Sequence, residues 1–115
     1  MEGTVWVTEW QLRCCGDPFE VGTWVEWHVV PPDSRWLTDI LGAEVAATVV
    51  GMEEHHDRLE GATELAGRVR SIRAVTHELE QRPDGLYPVA GSAALTEVAT
   101  SDHDPVAGFL VEVTP

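Results

Sequence analysis

Two adjacent cysteines, Cys14 and Cys15, sit in the stretch RCCGDPFEVG and are the only cysteines of the chain. Thiolates bind zinc, and a structural zinc takes about four nitrogen or sulfur ligands in a tetrahedron. Neighbouring cysteines on a strand point to opposite faces, which weakens them as a chelate. In a turn they can still contribute one or two ligands, with His55, His56, His77 or His103 completing a zinc site. A redox pair normally has two residues between its cysteines, and a ring closed by immediate neighbours is strained. The third reading is burial as small hydrophobes, since free cysteine is among the most buried residue types. Burial is the reading preferred, and zinc is the cofactor the competing one implies.

Other chemistry-bearing groups are scattered. EEHHD, residues 53–57, offers carboxylates and imidazoles within five positions, and a carboxylate beside a histidine raises its basicity. An exposed polar strand end explains the same residues without a ligand. Ser101, Asp102 and His103 are a triad by composition only, because real triads are defined by geometry. GRVRSIR places Arg68 and Arg70 on one face of a strand, where they can grip a phosphate or carboxylate. A small-ligand barrel in which they grip an anion requires an interior cavity, and ordinary surface pairing is the plainer account of two arginines. Five tryptophans are many for 115 residues, and not all can be central core. Trp6, Trp10 and Trp24 are the candidates to line a groove for a partner, since aromatic residues anchor cores and interfaces alike. No glycine-rich phosphate loop, dinucleotide fingerprint, HExxH or nucleophile elbow is present.

These residues need elements to position them. TVWVTEWQLR alternates over 4–13 as a strand, with Trp6 and Trp10 on one parity. CGDPF supplies turn chemistry, and TWVEWHVV reads as a second strand that puts Trp24 and Trp27 on opposite faces. In PPDSRWLTDILG, Asp33 or Ser34 caps a short helix with the stripe Trp36, Leu37, Ile40, Leu41, closed by Gly42. AEVAATVVGME reads as a third strand running into the polar loop EEHHDRLEG. Residues 62–80 fit a helical stripe, yet Gly61, Gly67 and the β-branched Val69, Ile72, Val75 and Thr76 favour a strand with a bulge near Ser71. RPDGLYP is a turn, VAGSAALTEVATSDHDP a short strand with loop, and VAGFLVEV a final strand.

Composition bounds the class. With 115 residues, 43% of them hydrophobic, one domain over 1–115 can bury a core without staples. Twenty acidic residues against seven basic ones, all arginine, give a net charge of −13. That charge keeps a protein soluble, disfavours phosphate backbones and anionic lipid, and attracts a basic protein partner. No run is long enough to span a membrane, and MEGTVWVTEW lacks the basic and apolar regions of a secretory signal. A cytoplasmic protein is expected, binding neither nucleic acid nor membrane directly.

The opening WQLRCCGDPFEVGTWVEW resembles that of a family of small actinobacterial proteins, a domain of unknown function. The shared elements here are Trp10, Gln11, Cys14, Cys15, Gly16, Pro18, Phe19, Val21, Gly22, Val25 and Trp27, and EEHH and RSIRAV are similar to later family segments. The resemblance implies a lineage and no activity.

The fold expected is mainly β with one short helix (α+β): a small half-open β-barrel or rolled antiparallel sheet of five or six strands. The function expected is a noncatalytic binding module that engages a protein through an aromatic-lined groove or a sheet edge. The alternative is a zinc-binding protein or small metallohydrolase built on Cys14 or Cys15 and the nearby histidines.

Overall fold

Alternation in TWVEWHVV is realised as β2 (Trp24–Val30): Val25, Trp27 and Val29 are buried while Trp24, Glu26 and His28 face solvent. The computed structural model describes residues 3–9, 12, 17–54, 62–102 and 106–115. Within them, β1 (Gly3–Thr8) and β2 precede helices α1 (Ser34–Leu41) and α2 (Ala43–Ala46). Then follow β3 (Val49–Glu53), β4 (Thr63–Thr76), β5 (Leu79–Arg82), β6 (Gly85–Pro88), β7 (Ala94–Val98) and β8 (Gly108–Thr114). No helix among the described residues is long and apolar enough to cross a membrane.

The protein is mainly β, and its main sheet has a strand number within the range expected, with a hairpin in addition. Six strands form one sheet in the order β2-β3-β1-β8-β4-β7, and β5 and β6 form a separate hairpin. The segment expected as a turn at 82–88 is the second half of that hairpin, with Pro83 and Asp84 at its tip. Strand β1 stops at Thr8 rather than running to residue 13. The expected third strand is shorter too. Gly42, at φ +85°, lets the backbone break after α1, and Ala43–Ala46 then forms a second helical turn before β3 begins at Val49. Between β2 and β3 there are thus two short helices where one was expected.

The long strand β4 is the spine of the sheet. Its first half pairs with β2, from Thr63 opposite Val29 to Arg68 opposite Trp24. Its second half pairs with β7, and β8 runs along it from Arg68 to Val75. The register with β8 shifts between Val69 and Ser71, where the sequence calls for a bulge. Because β2 pairs with β3 as well as β4, the run of pairings β2-β3-β1-β8-β4 returns to its first strand. The sheet is not wholly antiparallel. β1 and β3 run parallel, with Val5 opposite Gly51 and Trp6 opposite Met52. A parallel pair needs a crossover, which the segment β2-α1-α2 supplies.

Two cores follow, one on each side of the sheet. On the first, Phe19 meets the rings of Trp27 and Phe109 edge to face at centroid distances of 5.2 and 6.1 Å, among Val5, Val7 and Ile72. On the second, Leu37, Ile40 and Leu41 of α1 cover Trp6, Val75 and Leu110. Strand β1 is therefore buried on both faces. Gly108 marks how close the layers come. A Cβ there would lie 2.5 Å from the Val7 carbonyl oxygen and 2.6 Å from the Trp6 ring, neither of which can move aside cheaply. Gly108→Ala is expected to destabilise the protein by roughly 1–3 kcal/mol. Urea denaturation of the two proteins checks this, and an unchanged midpoint would refute it.

Candidate functional site

The helix α1 owes its position to its first turn. Asp33 caps it by accepting a hydrogen bond from the Trp36 backbone N–H at 3.1 Å, which fixes where the Trp36 side chain leaves the helix. The Trp36 ring meets Trp6 of β1 edge on, centroids 5.5 Å apart at 74°. Trp6 is fully buried, and its indole N–H is satisfied by the Thr8 hydroxyl at 2.9 Å. One ring is thus anchored in the second core while the other, 38% exposed, reaches the surface.

Beside this ring pair, between α1 and the base of the β5–β6 hairpin, opens a pocket of about 520 Å³. Its floor and helical wall are Trp6, Trp36 and Ile40. The opposite wall is the hairpin base, where Leu79 and Pro88 stand opposite one another, and Val106 and Ala107 lead into β8 beside it. Polar groups are few: Thr8, Thr76 and His77. His77 follows the last residue of β4, and its Nδ1 is buried with no hydrogen-bond partner among the described residues. The lining supplies shape and apolar surface, with few polar groups to set orientation.

The residues singled out from sequence fall into separate places. Trp6 and His77 come together in this pocket. Trp24 and Arg68 come together elsewhere, opposite one another on β2 and β4, with the guanidinium 5.8 Å from the Trp24 ring centre. Arg68 also donates to the Gly22 carbonyl at 3.0 Å. The lining of the cleft beside Trp24 shares no residue with the first pocket. Arg70 is exposed at the register shift, and neither arginine faces the core. Trp10, Cys14, Cys15, His55, His56 and His103 lie outside the described residues. Among the described residues no three His, Cys, Asp or Glu side chains stand together as metal ligands.

Trp36, Leu79 and Pro88 were missed as site residues. Trp36 fits the buried stripe of α1 by spacing, so period alone conceals that its ring reaches solvent. The available signal was the wide stripe itself, which puts Trp36 and Leu37 side by side at the start of an eight-residue helix.

The chain belongs to a family of unknown function (DUF6578), whose match spans residues 1–115. No curated protein and no solved structure matches it.

Proposed function

We propose that this member of the family is a noncatalytic binding module that engages a protein partner through the pocket bounded by the Trp6–Trp36 ring pair and the base of the β5–β6 hairpin. The observation that carries the proposal is the pocket itself. Its volume of about 520 Å³ is within the range of sites that accept a small ligand or one large side chain. Its rim presents Trp36 and Leu79 to solvent, and tryptophan is the residue type most enriched where interfaces concentrate their binding energy. The floor is held by packing and by the Trp6–Thr8 hydrogen bond, so little ordering is left to be done on binding. The ring of five mutually paired strands supports reading the sheet as a small barrel that carries this pocket on its outer side.

Selection from a displayed random-peptide library, with counter-screening on a Trp36→Ala variant, tests the proposal. The expected result is a consensus containing one bulky apolar side chain, with affinity lost on Trp36→Ala by about tenfold or more. Binders indifferent to Trp36, or no enriched sequence, would overturn it.

A further inference from the structure

The hairpin β5–β6 has two unlike faces. In an antiparallel ladder, opposed residues share a face and successive pairs alternate. Leu79 opposes Pro88 and Gln81 opposes Leu86, so one face is a largely apolar strip that begins in the Trp6–Trp36 pocket and runs outward. Leu79 and Leu86 are 52% and 61% exposed. The other face is already engaged with itself: Arg82 pairs with Glu80, and its guanidinium lies 4.6 Å over the Tyr87 ring. The base of the hairpin is stapled by Val89 N–H to the Glu78 carbonyl at 2.8 Å, and by Glu78 N–H to the Ser92 hydroxyl at 2.9 Å. Neither β5 nor β6 pairs with any strand of the main sheet. Two-stranded hairpins are marginal alone, so an occupant that covers the apolar strip would steady this one.

Charge selects the occupant. Among the exposed charged residues next in sequence to lining residues, Asp39 and Glu78 are acidic beside Ile40 and Leu79 and Arg35 is basic beside Trp36, while the chain as a whole carries −13. A second copy of the chain brings the same charge and is repelled, whereas a cationic segment is attracted. The apolar lining takes one large side chain, and an aromatic ring would meet the exposed edge of Trp36.

We propose that the pocket and the apolar face of the β5–β6 hairpin form one groove for a basic segment of a partner protein, with an aromatic side chain seated against Trp36 and its arginine or lysine neighbours attracted by the chain's net negative charge. This rests on the reading of the pocket as a partner site.

Three fluorescein-labelled synthetic peptides of equal length test it by anisotropy: a central Trp flanked by Arg residues, the same with Ala for Trp, and the same with Glu for Arg. The Arg-flanked Trp peptide is expected to bind about tenfold or more tighter than either other, and to weaken as salt rises. Its affinity should fall several-fold in Leu86→Ser, which alters only an exposed side chain. Amide exchange over 79–88 should slow in its presence. Equal, Trp36-dependent binding of the Arg- and Glu-flanked Trp peptides would overturn the charge selection and leave the pocket reading standing. Equal binding of the Trp and Ala peptides, or binding of none, would overturn both. Indifference to Leu86→Ser together with unchanged exchange at 79–88 would remove the hairpin from the groove.

Discussion

Replacing Trp6 by alanine is expected to cost roughly 3–5 kcal/mol, the scale for truncating a large buried aromatic side chain. Trp6 heads the fully buried side chains by volume and joins three layers. It stands between β3 and β8, its ring edge meets Trp36 of α1, and its outer ring atoms approach Gly108. Truncation leaves a cavity under α1 that a short helix cannot follow inward, because Leu37, Ile40 and Leu41 are already committed to the same core. Against a typical total of about 5–15 kcal/mol, the loss brings the protein close to its unfolding threshold. Trp6→Phe keeps an aromatic edge for Trp36 and should lose less. Chemical denaturation of the three proteins decides the matter, and a deficit below about 1 kcal/mol for Trp6→Ala would show that the second core does not depend on this ring.

The stability of the wild-type protein is expected to fall as pH rises from about 4.5 to about 8, and Glu53→Gln should remove much of that fall. Glu53 ends β3 with only 2% of its surface exposed. Burial, reinforced by the neighbouring Glu54 carboxylate, pushes its carboxyl from 4.5 up to about 8. The unfolded chain therefore releases this proton first, and across that window it binds fewer protons than the folded protein. Stability then declines with pH, and the decline ends once the folded-state carboxyl has ionised. The full difference is on the order of 5 kcal/mol. A neutral glutamine mimics the protonated carboxyl, so the two proteins should be similarly stable near pH 5 and diverge toward pH 9, with the variant the more stable. Urea melts at unit pH steps report this directly. Parallel curves over the whole range would mean that Glu53 ionises in the folded state as freely as in the unfolded one.

Local features were legible in the sequence where one period or one cap decides them. The alternation of β2, the Asp33 cap and Gly42 break around α1, and the slip near Ser71 in β4 all appear where residue chemistry puts them. Features set by distant partners were not. Ala43–Ala46 carries β-branched and small residues that suit either state, and the break at Gly42 settles it as helix. The parallel pairing of β1 with β3 depends on a crossover that no local pattern announces. The pocket is harder still, since Trp6, Trp36, His77 and Leu79 come from four elements or their edges and share no motif. Composition pointed to surplus tryptophans, and only the packing of α1 and the hairpin tells which of them reaches a surface. The cysteine pair and the histidines at 55 and 56 lie outside the described residues, so that part of the sequence reading stands apart from the pocket.

The place of β1 between β3 and β8 also sets the order in which this protein can be made and folded. β1 leaves the ribosome well before one of its two neighbours, β8, which lies about 100 residues further along. At roughly 5–20 residues per second, the first strand waits some 5–20 s for its partner. Over that interval the strand carrying Val5, Trp6 and Val7 has an open edge in the nascent chain. Shielding from premature association then falls to charge, of which this chain has a large excess, until β8 closes the ladder.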